Sequence, residues 1–144
     1  MHQFEIKNRF AVRIPLGADL FESIHKFCVD HNILNGRFSG IGSLKSAAVG
    51  HFRQVEKTQI INRVAKPCEL VHLFGNISEK NSVPVVTGKL TVSDQDSKIF
   101  GGELVSGNKV FNAEVFIEEF SGIDLHREYD PSTGLSIWPQ SLTI

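Results

Sequence analysis

Apolar residues near the N-terminus recur at the spacing of an amphipathic helix. One stripe of a helical projection collects Leu20, Ile24, Phe27 and Cys28. The charged residues between them fall on the opposite face, as expected for a helix that packs one side on a core. Asp19 stands directly before this stripe, and aspartate is a favoured N-cap because its carboxylate accepts free backbone N–H groups. The pattern therefore predicts a helix that begins after Asp19 and ends near residue 31.

The rest of the chain has the pattern of short strands joined by turns. Strands are predicted over residues 10–14, 38–44, 47–53, 59–64, 69–77, 83–93 and 109–120. In the last of these, Phe111, Ala113, Val115 and Ile117 alternate with polar residues, which is typical of a strand with one buried face. Residues that favour turns lie between the segments. One helix followed by many closely linked strands predicts an α+β domain with a largely antiparallel sheet.

Composition narrows the class of protein. The chain has 144 residues, the usual size of one domain, with 15 Lys and Arg against 16 Asp and Glu. This balance does not favour a nucleic-acid-binding surface, which is normally basic. Cys28 and Cys68 are too few for a disulfide framework, so we expect buried thiols in a reducing cytoplasm. No apolar run predicts a signal peptide or approaches the ~18 residues of a membrane helix.

Several short motifs occur in a fixed order along most of the chain. They are Pro15, Gly17 and Asp19 at the helix entry, Gly40-Ile-Gly42-Ser-Leu44, Cys68-Glu69-Leu70-Val-His-Leu73-Phe-Gly75-Asn76, Leu90-Thr-Val-Ser-Asp94, Gly101-Gly102-x-Leu104-x-x-Gly107, Ala113-Glu114-Val115, and Arg127 with Asp130-x-x-Thr133-Gly134-Leu135. Each motif is weak alone. Together they make residues 10–135 resemble the plant and prokaryote conserved (PPC) domain, with Gly40-x-Gly42 at a turn after the second strand.

The resemblance implies a fold and an assembly. We expect a PPC domain over residues 1–135, in which the sheet packs with one main N-terminal helix and minor helices, and a tail over residues 136–144. The segment after Asp130 has little periodicity and holds the single tryptophan, so we expect it to be loose or packed on a neighbouring subunit. A homotrimer is the assembly usual for the family.

One part of the family pattern is missing from this chain. In PPC domains a strand commonly carries His-x-His, and a following Gly-Gly-His supplies a third imidazole to a metal site. The matching positions here are Thr87, Lys89 and Glu103. Threonine is a poor ligand, and an ammonium group has only donors. The sequence therefore predicts that this metal site is lost, and we expect no metal or other cofactor.

A group of charged residues is the predicted replacement. If Glu69 points inward with Val71 and Leu73, it could flank the old site together with Glu103, and Lys89 would stand in for the lost cation. Alternate strand residues share a face, so Thr87 would lie beside Lys89, and Arg127 would add a positive group. We therefore predict a ligand pocket formed by Glu69, Thr87, Lys89, Glu103 and Arg127. The alternative is that Lys89 reaches solvent and Glu103 caps a turn.

Other candidate sites are weaker. Cys68 and His72 share a predicted strand face four residues apart, too far for a direct nucleophile–base pair. His25, Cys28 and His31 lie on successive helical turns, where two solvated histidines and a core cysteine are favoured over a metal site. Six cations could form a basic face but are interspersed with acids: Arg9, Arg13, Arg53, Lys57, Arg63 and Lys66. No partner is evident for His51 or His126.

These observations favour a non-enzymatic role. We predict a trimeric PPC-domain protein that binds a small ligand, anionic given Lys89 and Arg127, or has a regulatory role. One alternative is a lyase or hydrolase that uses the same pocket without zinc, with Lys89 forming a Schiff base. The other is a DNA-binding accessory protein, although the chain lacks the Arg-Gly-Arg-Pro hook of plant members and its charge does not favour DNA. No membrane partner is expected.

Overall fold

The computed structural model describes residues 2–144 and contains one helix and nine strands in that range. The elements are β1 Glu5–Ile14, α1 Leu20–Asp30, β2 Gly36–Arg53, β3 Thr58–Val64, β4 Cys68–Lys80, β5 Val83–Asp94, β6 Ile99–Leu104, β7 Lys109–Ser121, β8 Glu128–Asp130 and β9 Leu135–Ile137. The predicted α+β class with a largely antiparallel sheet is confirmed. Of the expected minor helices, the described residues contain only a three-residue 3-10 turn, Gln140–Leu142.

Helix α1 begins where the sequence predicts, because Asp19 caps it. Asp19 Oδ1 accepts hydrogen bonds from the backbone nitrogens of Phe21 and Glu22 at 3.1 and 3.2 Å. Its other oxygen accepts from Gly107 N at 2.7 Å, which ties the helix to the link between β6 and β7. The predicted apolar stripe lies on the core, and Leu20, Ile24 and Cys28 are fully buried against β5 and β7. The helix thus covers one face of the sheet.

Strand β2 organises the sheet. The strand order is β1-β7-β2-β4-β5-β6, with β3 also on β2, and β2 pairs with β6 as well, so that the sheet closes on itself. The predicted strands at 38–44 and 47–53 are wrong as separate elements, because both are parts of this single 18-residue strand. Its first half pairs with β4 and β7 and its second half with β3 and β6. Gly40 and Gly42 therefore lie inside a strand rather than at a turn, and the register of β2 against β4 shifts between them.

A large aromatic side chain fills the space between β2, β4 and β5. The Phe38 ring is 2% exposed and lies against the backbone of Gly75 and Gly88, which pair directly across β4 and β5. An added Cβ at Gly75 would lie 2.4 Å from Phe38 Cζ, and one at Gly88 would lie 2.7 Å from it. Glycine at both positions lets the ring approach the strand backbones at van der Waals distance.

A β-bulge in β4 changes which residues share a face. The register shifts between Leu70 and His72 against β5, and between Leu70 and Leu73 against β2. Val71 and His72 are consequently both exposed, while Leu73 is buried. The predicted common face of Glu69, Val71 and Leu73 is therefore wrong, and so is that of Cys68 and His72, because strict alternation fails at the inserted residue.

Three strands and one burial pattern were not predicted. Strand β6, and the short hairpin of β8 and β9 that follows the main sheet, have no clear alternation in the sequence. Phe111 is 62% exposed, whereas Ala113, Val115 and Ile117 are buried as expected. The register of β2 and β7 shifts beside Leu44, which turns Phe111 away from the core. In residues 2–144 no helix is both long and apolar enough to cross a bilayer.

Candidate functional site

The ladder between β5 and β6 ends at an ion pair. Lys89 and Glu103 are the last directly paired residues of these strands, and β6 turns from there to pair with β2. Lys89 Nζ donates to Glu103 Oε1 at 2.9 Å, and Gln59 Nε2 donates to the other oxygen at 2.6 Å. The lysine is half exposed and the glutamate is mostly buried. Glu103 therefore lies on a strand with both oxygens occupied, rather than at a turn.

The charge state of Glu103 follows from these contacts. Burial would raise the pKa of Glu103, but the hydrogen bonds from Lys89 and Gln59 oppose this effect. The positive charge of Lys89 acts in the same direction as the hydrogen bonds, so the pKa of Glu103 lies below its usual value. Glu103 is thus a carboxylate at neutral pH, and Lys89 is its principal counter-ion.

A cavity opens where β5 and β6 separate beyond this pair. Its volume is about 460 Å³. Strand β5 contributes Thr87, β6 contributes Glu103, and α1 contributes the Phe21 ring. The remaining lining residues are Gln59, Val86, Gly88, Leu104, Val105, Ser106, Arg127, Leu135, Ser136 and Ile137. This volume lies within the range of small-molecule pockets in proteins, which is ~300–1,000 Å³.

Arg127 lies in the wall of the cavity without an acidic partner. Its Nε donates to Ser78 Oγ at 2.6 Å, Nη1 to the Ser136 carbonyl at 2.8 Å, and Nη2 to Asn76 Oδ1 at 2.9 Å. All three acceptors are neutral, and no carboxylate of residues 2–144 forms an ion pair with this guanidinium. Burial lowers the pKa of Arg127, as expected for a cation without a counter-ion.

The five predicted pocket residues do not all meet. Thr87, Glu103 and Arg127 line the cavity, and Lys89 adjoins it through Glu103. Asn76 accepts a hydrogen bond from Arg127 and is paired directly across from Thr87. Asn76 therefore connects Arg127 to the strand pair that contains Thr87. Glu69 lies elsewhere: it is exposed and lines a second cavity of about 540 Å³ with Pro67, Cys68 and Phe111. The sequence did not indicate Gln59 as a site residue, because it lies on β3, far along the chain from Lys89 and Glu103.

The residues at the family's metal positions do not fit a divalent cation. Thr87 and Lys89 share a strand face, as the sequence predicts, and Glu103 pairs with Lys89. The Lys89 ammonium donates to one carboxylate oxygen and the Gln59 amide to the other, so a cation bound by Glu103 would lie beside the positive charge of Lys89, with one carboxylate and one hydroxyl as its ligands. Among residues 2–144, no group of three His, Cys, Asp or Glu side chains is close enough to hold a metal ion.

The cysteines are not arranged as nucleophiles. Burial raises the pKa of Cys28 to about 12, and burial followed by the charges of Glu69 and Asp94 raises that of Cys68. His72 lies on the exposed side of the bulge, away from the buried Cys68. His31 stacks on Phe27 with ring centroids 4.0 Å apart, so the helix histidines have packing roles. None of these groups converges on the cavity.

Two other groups of charged residues are paired. His126 contacts Asp124 and Glu128 at 3.0 Å each, partners that the sequence analysis did not identify although they lie two residues away on either side. The hydrogen bonds with Glu128 and Asp124 raise the pKa of His126. Of the cations considered for a basic face, Arg9 is 3.4 Å from Glu118. Lys66 is 2.6 Å from Asp94, so acids neutralise part of that surface.

Comparisons with known proteins agree with the fold. The model of the Plants and Prokaryotes Conserved (PCC) domain matches residues 1–121. A metal-containing protein from Archaeoglobus fulgidus is 32% identical with a TM-score of 0.89, over 97% of this chain and 99% of that one. A plant- and prokaryote-conserved (PPC) protein from Pyrococcus horikoshii is 30% identical with a TM-score of 0.91, over 99% and 97%.

A third structure, from Bacteroides thetaiotaomicron, is that of a protein with a proposed role in DNA binding. It is 25% identical with a TM-score of 0.87, over 98% of this chain and 99% of that one. The search of curated proteins gave no match.

Proposed function

Because this chain belongs to the plant and prokaryote conserved domain family, which is also abbreviated PCC, we propose that it is a non-enzymatic protein that binds a small anion in the cavity beside Arg127. We further propose that it acts as a homotrimer, the assembly usual for the family. The main support for an anion site is the position of the Arg127 guanidinium, which is half-buried in the wall of the cavity and contacts only neutral acceptors.

The chemistry of a guanidinium explains why this arrangement favours an anion. Arg127 has five N–H donors, and its three hydrogen bonds leave one donor on each terminal nitrogen. A half-buried charge without a counter-ion is unfavourable, and a carboxylate or phosphate would supply both the charge and two parallel acceptors. The bonds that position the guanidinium also hold it in place before a ligand arrives, which reduces the entropy lost on binding.

The other lining residues fit a small anion with an apolar part. Glu103 does not compete for Arg127, since its two oxygens accept from Lys89 and Gln59. Thr87 and Ser106 supply hydroxyl groups that can hydrogen-bond a ligand, while Phe21 and Ile137 supply apolar surface. A Schiff-base enzyme is not favoured, because Lys89 Nζ donates to a carboxylate and is half exposed rather than enclosed in an apolar pocket.

Isothermal titration calorimetry with a set of small ligands tests the anion site. We expect binding of at least one of acetate, pyruvate, succinate or inorganic phosphate, and none of the neutral amide analogues. Arg127→Gln should weaken the binding by about 100-fold, the ~3 kcal/mol scale of a charge-assisted hydrogen-bonded pair. Arg13→Gln, an exposed arginine of β1, is the matched control. The proposal is wrong if no anion binds, or if both variants bind as the wild type does.

A further inference from the structure

The second cavity, which Glu69 lines, lies where the pairing of β2 with β7 becomes irregular. Its volume of about 540 Å³ is within the ~300–1,000 Å³ range of small-molecule pockets. Its walls come from β2, β4, β5 and β7 and from the links that follow β3 and β5. Among the described residues, none lines both this cavity and the one beside Arg127. It is therefore a separate candidate site.

Two bulges bring side chains to this cavity. Along β7, Asn112 and Val110 pair with consecutive residues of β2, so Phe111 between them is left without a partner in β2. Along β2, Lys45 is left over in the same way, because the residues on either side of it pair with consecutive residues of β7. An extra residue at a bulge changes the direction of its side chain, and both Phe111 and Lys45 line the cavity.

A row of polar side chains crosses the cavity. Glu69 of β4 lies directly opposite Ser43 of β2 and directly opposite Ser93 of β5. Directly opposite residues in antiparallel strands point to the same side of the sheet, so the two hydroxyl groups flank the carboxylate. All three residues line the cavity. A carboxylate between two hydroxyl groups supplies the acceptors that an ammonium group needs.

Lys45 and Glu69 provide one positive and one negative charge at the rim. Both side chains are exposed, and neither forms an ion pair within residues 2–144. Asp94 also lines the cavity, but Lys66 Nζ lies 2.6 Å from its Oδ2, so that carboxylate already has a counter-ion. The charges that a ligand can neutralise are therefore those of Lys45 and Glu69.

The rest of the wall is largely apolar. Leu44 and Cys68 pair directly across β2 and β4 and are 1% and 5% exposed, and Pro67 lies beside them. Phe111 is 62% exposed, so its ring presents apolar surface to water. A ligand that packs against this ring would remove that surface from water, which is favourable.

We propose that this cavity binds an α-amino acid with an apolar side chain. The ammonium group of the ligand donates to Glu69 and to the hydroxyl groups beside it, and the ligand carboxylate accepts from Lys45. The side chain of the ligand packs against Phe111 and Leu44. An amine or a carboxylic acid of the same shape would pair with only one of the two charges, so a zwitterion is the preferred ligand.

Isothermal titration calorimetry with leucine tests this site. We expect leucine to bind at least 10-fold more tightly than glycine, isoamylamine or isocaproate, which lack its side chain, its carboxylate and its ammonium group respectively. Glu69→Gln and Lys45→Gln should each weaken leucine binding by about 10-fold, the scale of a hydrogen bond to a charged group. The matched control is Glu114→Gln, which removes an exposed carboxylate of β7 outside the cavity and should bind leucine as the wild type does.

Arg127→Gln separates this site from the proposed anion site. It should bind leucine as the wild type does, because Arg127 lines the other cavity. The inference is wrong if leucine does not bind, if isoamylamine or isocaproate binds as tightly as leucine, or if Glu69→Gln and Lys45→Gln retain wild-type affinity. Loss of leucine binding in Arg127→Gln but not in Glu69→Gln would place the amino acid in the other cavity and would also overturn it.

Discussion

Gly75→Ala is expected to lower the melting temperature by about 10–20 °C. The new Cβ would lie 2.3 Å from the Thr87 carbonyl oxygen and 2.4 Å from Phe38 Cζ. Neither neighbour can move easily, because one belongs to the paired strand β5 and the other is a fully enclosed ring. Overpacking of this kind costs ~3 kcal/mol or more, from which the shift in melting temperature follows.

Differential scanning calorimetry measures the melting temperature of Gly75→Ala, with Gly101→Ala as the control variant. Gly101 lies on β6, and its added Cβ would be 3.3 Å from the nearest atom, the Leu90 carbonyl oxygen. We expect its melting temperature to stay within a few degrees of the wild type, since surface changes cost within ~0.5 kcal/mol. Equal melting temperatures for the two variants would show that Phe38 does not lie against β4 and β5 as described.

Asn108→Leu is expected to lower the free energy of unfolding by about 3–5 kcal/mol. The Asn108 side chain is fully buried and makes three hydrogen bonds to backbone. It accepts from Ala48 N at 3.0 Å and donates to the Ala48 and Val105 carbonyl oxygens at 2.9 and 2.7 Å. Leucine would remove the partner of the buried Ala48 N–H and of the buried Ala48 carbonyl oxygen, and each such loss costs ~1–3 kcal/mol.

Urea denaturation at equilibrium measures this loss. Asn112→Leu is the control, because Asn112 is an exposed residue of β7, four residues after Asn108. The control should change the free energy of unfolding by less than ~0.5 kcal/mol. If Asn108→Leu is as stable as Asn112→Leu, the link between β6 and β7 is not held to β2 through this side chain.

Local patterns in the sequence predicted the elements that local interactions determine. Helix α1 was predicted because Asp19 and the apolar stripe act within a few residues of each other. Strand β6 was missed because two of its six residues are glycine, which has low strand propensity, and its stability comes from pairing with β5 and β2. The single strand β2 was predicted as two because the chain has small and polar residues around position 46.

The candidate site likewise contains one contact that the sequence predicts and others that it does not. The pairing of Lys89 with Glu103 could be anticipated from two adjacent motifs and opposite charges, and the structure has this contact at 2.9 Å. The position of Glu69 could not, because the bulge at Val71 and His72 has no local signature. The acceptors of Arg127 come from β4 and from the hairpin of β8 and β9, so only the three-dimensional arrangement reveals that the guanidinium has no acidic partner within residues 2–144.

The proposed anion site would give this cavity a different chemistry from the metal site that the family resemblance implies. In the described residues the Lys89 ammonium donates to Glu103, whereas Arg127 contacts only neutral acceptors. The preferred ligand of the cavity would then change from a cation to an anion. Both parts of this interpretation concern where ions bind, so one diffraction experiment can test them together.

Anomalous diffraction from crystals soaked separately in bromide and in zinc is the most direct measurement of the central claim. We predict a bromide peak within hydrogen-bonding distance of the Arg127 terminal nitrogens, and no zinc peak among Thr87, Lys89 and Glu103. A zinc peak among those three residues, or bromide bound elsewhere with none at Arg127, would contradict the account.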